Sequence, residues 1–191
     1  MIKTILLSMT AFVGTNIDDL LINTFLMAEA KSKTEYKQIV IGKYLGMAML
    51  IGLSLLTVFG LQLISPEYLK LLGIIPIGLG IKIFLIHARN PNVESGEVVK
   101  SIPSNTNPVV KTALLTVANG ADNLGVYIPL FATFQRMEIL AAIIVFFGMT
   151  GLWCTLSKRV SEFHVLNEIL RKHDRWIVPA VYIWLGIYIL L

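Results

Sequence analysis

Six largely apolar runs recur along this chain, most of them of the ~20 residues that a helix rising ~1.5 Å per residue needs to cross the ~30 Å hydrocarbon core of a bilayer, the last being shorter and ending with the chain. We place them at residues 5–27, 39–62, 68–87, 110–134, 137–156 and 176–191. Six such segments fill a chain of 191 residues and leave no room for a soluble domain. With 55% hydrophobic and 15% charged residues, neither a soluble globular protein nor a disordered one fits. The runs are continuous rather than alternating in polarity, which argues against a β-barrel. The expected fold is therefore an all-α membrane protein of six transmembrane helices. Lys3 followed by the apolar stretch from Ile5 to Val13 resembles a signal peptide, but no small-residue cleavage pattern closes it, so we read it as span one.

Basic residues between the runs set the orientation. One side of the membrane receives Lys31, Lys33, Lys37, Lys43, Arg89, Lys100, Lys111, Lys158, Arg159, Arg171, Lys172 and Arg175; the other receives Lys3, Lys70 and Arg136. Lys82, inside span three, completes the 16. Twelve against three is a strong positive-inside signal and puts both termini outside. The net charge of +4 is thus a matter of topology, and no nucleic-acid partner is expected. Residues 88–109, with Pro91, Pro103 and Pro108, read as a cytoplasmic connection between two halves, 1–87 and 110–191. From Ser157 to Arg175, Val160, Phe163, Leu166, Ile169 and Leu170 fall at helical spacing amid basic residues, the pattern of an amphipathic helix lying on the membrane surface.

The halves repeat one another. A shift of 104 aligns "DDLLINTFLMA" from Asp18 with "DNLGVYIPLFA" from Asp122; "GIKIFL" from Gly80 likewise matches "GIYILL" from Gly186, with Pro76 and Pro179 upstream. Halves with three spans each enter the membrane in opposite senses, which predicts the inverted-repeat architecture of many secondary transporters.

Polar residues concentrate where the repeat is clearest. Span one carries Thr15, Asn16, Asp18, Asp19 and Asn23; span four carries Asn119, Gly120, Asp122, Asn123 and Tyr127. An ionised aspartate near a helix centre costs about 2.5–3.5 kcal/mol on insertion scales, so three approach about 10 kcal/mol and cannot face lipid. Thr15, Asp18, Asp19 and Ile22 share one helix face, as do Asn119, Asp122, Asn123 and Val126, and equivalent faces can converge on a midplane site. Carboxylates with amide and hydroxyl oxygens suit a cation. Brought together, they also raise one another's proton affinity, which gives a route to cation and proton exchange. The bland alternative, polar residues that only bond helices together, needs amides or hydroxyls rather than several carboxylates.

The remaining chemistry-bearing residues read more plainly. Gly120 can unwind span four and free carbonyls, although glycine is also common in membrane helices. Gly42 and Gly46 form a GxxxG that marks close helix packing. Lys82 is either a partner for the aspartates or a snorkelling lysine near the cytoplasmic end, the second being the plainer reading. Cys154, a single cysteine, excludes an internal disulfide and reads as an inert buried thiol. His87, His164 and His173 fall in or beside cytoplasmic connections as solvated side chains.

Through "TNIDDLLI" from Thr15, "IPIGLGIK" from Ile75, "ANGADNLGVYIPLFA" from Ala118 and "LGIYILL" from Leu185, the sequence resembles the cadmium resistance transporter family of the lysine-exporter superfamily across all six spans. The resemblance implies a multi-pass protein of the bacterial plasma membrane that exports cadmium or a related divalent cation. Asn16, Asp18, Asp19, Asn119, Asp122 and Asn123 would form the centre of its site, with Thr15, Asn23 and Tyr127 as secondary candidates. No enzyme and no cofactor are expected: the metal is cargo, and protons are the expected coupling ion from the clustered carboxylates. Asn119 stands where some members carry cysteine, and an almost wholly oxygen site favours harder ions such as Mn²⁺ or Ca²⁺ over Cd²⁺. The expected partners are the metal ion and the lipid bilayer, with a homodimer open as an assembly. The competing readings are an exporter of an amino acid or organic cation, an intramembrane aspartyl protease, for which no GxGD motif is present, and a purely structural scaffold.

Overall fold

A computed structural model describes residues 1–61, 71–89, 106–162 and 179–191, and among these every regular element is helical. The helices are α1 (Ile2–Glu29), α2 (Lys33–Leu61), α3 (Ile74–Arg89, entered through a 3₁₀ turn at Leu71–Gly73), α4 (Pro108–Ala118), α5 (Ala121–Thr133), α6 (Arg136–Glu162) and α7 (Pro179–Leu190). Two of them, α2 and α6, are long and apolar enough to cross a membrane, and α1 makes a third if its two arms count as one span. Shorter apolar helices occupy Leu71–Lys82, Pro108–Ala118 and Pro179–Leu190.

α2, α4 and α6 begin ahead of their apolar runs because caps, not hydropathy, set where they start. Ser32 begins α2: its hydroxyl accepts from the Glu35 amide at 3.1 Å, and the Glu35 carboxylate accepts from the Lys31 amide at 2.8 Å. At the start of α4, Asn107 accepts from the Val109 amide at 2.9 Å, with Pro108 in the first turn. Glu138 accepts from the Gln135 amide at the head of α6 and from the Thr4 hydroxyl of α1, which ties the two helix ends together.

Two expectations change here. Span four is not one helix: α4 ends at Ala118 and α5 begins at Ala121, with Asn119 and Gly120 in turn geometry between them. Residues 157–162, expected in the surface helix, instead continue α6 to Glu162, because the apolar face of the span extends through Val160, which is buried. The rest of that proposed helix lies outside the described residues, as do His164, His173 and residues 90–105 of the connecting stretch.

Two helix pairs dominate the packing. α1 packs most extensively along α6, and α2 along α4 and then α5. Close approach at α2/α4 depends on Gly42 and Gly46: a Cβ at Gly42 would meet the Val109 carbonyl oxygen, and one at Gly46 would come within 2.5 Å of Thr116 Cβ. This is the close packing that the GxxxG predicts. α3 crosses α7 at Gly73 against Gly186 and at Gly80 against Pro179. An aromatic core of Phe12, Tyr127, Phe131, Phe146 and Trp153 fills the centre, with Tyr127 and Phe146 rings 4.5 Å apart and Phe12 edge-on to Trp153 at 5.4 Å. Large apolar side chains such as Leu6, Leu56, Phe59, Ile144 and Leu152 point outward, a surface suited to lipid rather than water.

Candidate metal-cation site

Where the polar motif interrupts α1, the helix bends by 61° between Ile2–Ile17 and Asp19–Glu29. One residue before the bend, the Asn16 carbonyl accepts from the Trp153 indole of α6 at 2.7 Å. A side chain inserting into the helical ladder is an identifiable cause of such a kink.

Thr15 and Asn16 project from this point towards α5. The Tyr127 hydroxyl lies 3.0 Å from Thr15 Oγ1 and accepts from Asn16 Nδ2 at 2.9 Å; the same amide donates to Thr15 Oγ1 and to the Phe12 carbonyl, each at 2.9 Å. All three residues are buried. One member of the second motif is thus hydrogen-bonded to two members of the first. The carboxamide oxygen of Asn16 is buried and has no hydrogen-bond partner among the described residues, and the same holds for the oxygen of Asn123. Buried acceptors left open are uncommon in folded proteins.

The two aspartates with described side chains have different partners. Asp122, half-buried in the first turn of α5, accepts from the Tyr182 hydroxyl of α7 at 2.6 Å. Asp19 is buried and forms an ion pair with Lys43 of α2, whose side chain is fully enclosed. The side chain of Asp18, at the bend, lies outside the described residues. Asn23 is buried one turn beyond Asp19, and Asn119 is half-buried at the end of α4. Among the described residues, no three of His, Cys, Asp and Glu gather at one point.

The packing beside Asn119 leaves room only for glycine at the break. Gly120 packs under Leu50 of α2, where any Cβ would collide with the leucine side chain, and its amide makes the tighter bond to the Val117 carbonyl at 3.1 Å. Asp122 and Asn123 consequently sit in the first turn of α5 rather than in mid-helix, near the positive end of its dipole.

Sequence reasoning missed three contributors. Charge asymmetry assigns Lys43 to the cytoplasmic side, whereas it lies inside the bundle against Asp19. Its position within an apolar run was the available signal, since an ionisable residue there is a functional candidate by default. Tyr182 and Trp153 carried no spacing signal. Of the others weighed, Lys82 is exposed on α3, Cys154 is buried with a free thiol, and the His87 side chain lies outside the described residues.

A buried polar seam between two interrupted helices, in an apolar helical chain, is what a membrane carrier for a small charged solute requires. The model of the cadmium resistance transporter family matches residues 12–191, nearly the whole chain. The chain belongs to that family. Searches of curated proteins and of solved structures return no match. Family membership makes this a membrane transporter with a role in metal efflux, not an enzyme, and makes a divalent metal ion its substrate.

Proposed function

We propose that this cadmium resistance transporter exports a divalent cation, cadmium or a related ion, across the bacterial plasma membrane in exchange for protons. Its site comprises Asn16, Asp18 and Asp19 from the bend of α1 and Asn119, Asp122 and Asn123 from the α4/α5 break, with Thr15, Asn23 and Tyr127 around them. The observation that carries this reading is the Tyr127 hydroxyl held by Thr15 and Asn16, a direct link between motifs 112 residues apart. The open oxygens of Asn16 and Asn123 supply neutral ligands of the kind hard cations take, and the carboxylates supply charge.

We also propose six spans arranged as two inverted three-helix repeats with both termini outside. Under the repeat, α1 corresponds to α4 and α5 together, and α2 to α6. The α1/α6 and α2/α4 packings then exchange with one another. A shift of 106, which aligns Gly80 with Gly186, also aligns Gly73 with Pro179. The Gly80–Pro179 and Gly73–Gly186 contacts therefore exchange too, as a two-fold pseudo-axis requires.

The test is metal uptake into inside-out vesicles across Cd²⁺, Mn²⁺ and Ca²⁺, with and without a pH gradient. Uptake of at least one dication that rises with an acid interior is the expected result. Uptake indifferent to the gradient would remove proton exchange, and competition by lysine would favour an amine as cargo.

A further inference from the structure

Lys43 is the basic side chain that the described bundle buries completely, and it sits on an aspartate of the transport motif. Its place follows from packing. Gly42 and Gly46 draw α2 against α4, and the residue after Gly42, turned ~100° around the helix, faces α1 at Asp19. Enclosing two charges carries a large desolvation cost, and apolar replacement of such a pair is often neutral or stabilising, so the pair is poorly explained as a source of stability. The second half makes the same point. At the shift of 104, Asn123 stands for Asp19 and Phe147 for Lys43, so both charges are replaced together by neutral groups. There Phe147 stacks on Tyr44, with ring centroids 6.0 Å apart. One half of the fold is built without the pair at all.

A transporter for cations that contains a cation of its own at a motif carboxylate has a functional use for it. We propose that the Lys43 ammonium is the resident counter-ion of the transport site: it holds Asp19 while the site carries no metal, yields Asp19 to the entering dication, and reclaims it as the metal leaves. This rests on the transport reading above. Conduction and transport need binding strong enough to load and weak enough to release, and clustered carboxylates with no resident cation err towards tight holding. An ammonium tethered to α2 competes with the metal at every cycle without being lost to solution. It also couples occupancy of the α1 motif to α2, which packs on the α4/α5 break carrying the other half of the site.

The experiment is Cd²⁺ titration of purified full-length protein, alongside vesicle flux, for the wild type and Lys43→Met. The expected result is at least about tenfold tighter Cd²⁺ binding in Lys43→Met, with a lower half-saturating concentration and a lower maximal flux. A lysine with only a structural role would weaken binding when removed, so unchanged or weaker binding in folded Lys43→Met overturns the proposal. Should Lys43→Met fail to fold, Lys43→Gln, which keeps a hydrogen-bond donor for Asp19 but removes the positive charge, takes its place. Severalfold tighter binding in Lys43→Gln supports the proposal, and equal or weaker affinity overturns it. Cd²⁺, Mn²⁺ and Ca²⁺ binding absent from the wild type itself would overturn the transport reading and this one with it. Normal wild-type binding with an indifferent Lys43→Met removes the resident counter-ion alone.

Discussion

The Tyr182 hydroxyl donates to Asp122 across 2.6 Å and so fastens the last helix to the second aspartate motif. Tyr182 is completely buried, and its ring lies over Gly14 of α1, where a Cβ would sit 3.6 Å from it. A single side chain from α7 therefore touches both motif-bearing elements. Motion of α7 cannot leave the orientation of Asp122 unchanged.

Tyr182→Phe isolates this bond, since the ring and its packing remain. Hydrogen bonds to charged groups contribute about 1.5–3 kcal/mol. Only part of this, about 0.6–1.4 kcal/mol, is expected to appear as lost Cd²⁺ affinity, a fall of about three- to tenfold as the carboxylate loses its fixed orientation. Titration of the purified variant reads this directly, and an unchanged affinity would mean that Asp122 is oriented by other contacts.

The glycines separate packing from helix propensity. At Gly46 a Cβ would lie 2.5 Å from Thr116 Cβ, while Gly148 on α6 has nothing within 4 Å. Gly46→Val should abolish accumulation of folded protein, because α2 and α4 cannot approach. Gly148→Ala should be tolerated and raise the melting temperature slightly, as alanine gains about 1 kcal/mol over glycine within a helix. Fluorescence-detected size exclusion with a thermal ramp distinguishes the two, and a stable Gly46→Val would refute the close approach.

What the sequence made legible was what rests on spacing. The i, i+3, i+4 faces of Thr15, Asp19 and Asn123, and the Gly42/Gly46 pair, need only helical periodicity to be recognised, and each is buried or closely packed in the structure. Partners across the bundle are another matter. Lys43 lies four residues into the apolar run, close enough to its end to snorkel, and only the approach of α2 to its neighbours encloses it. The break at Asn119 and Gly120 was equally ambiguous, because Gly125 is a glycine in the same segment and stays helical. Leu50 of α2 packs over Gly120, a contact between residues 70 apart that shows why only glycine fits there and that no local pattern reveals.

Orientation follows from charge and is tested at exposed connections. In a Cys154→Ser background, a cysteine replacing Lys31, between α1 and α2, should react only with reagents supplied from the cytoplasm, and one replacing Gln135, between α5 and α6, only from outside. With Lys43 inside the bundle, the asymmetry is eleven against three and still puts both termini outside. Reversed accessibility would sink both the orientation and the inverted pairing of the halves.

The last prediction concerns which donors hold the ion. Asp122 is the described carboxylate of the second motif and is held by a neutral phenol, whereas Asp19 already faces an ammonium. Asp122→Asn keeps the shape and an acceptor for Tyr182 but removes one negative charge from the site. Loss of a charged ligand should weaken Cd²⁺ binding by roughly 1.5–3 kcal/mol, about ten- to a hundredfold, and flux should fail. Cys154 provides the contrast: it is buried beside Ile22, Leu26 and Leu115 in an apolar cluster separate from the Tyr127 network. Cys154→Ser should therefore leave efflux of every transported ion nearly intact. Metal titration and vesicle flux on both variants decide the matter. If Cys154→Ser loses Cd²⁺ transport while retaining Mn²⁺ transport, a soft thiolate belongs to the pathway and the oxygen-based site is incomplete.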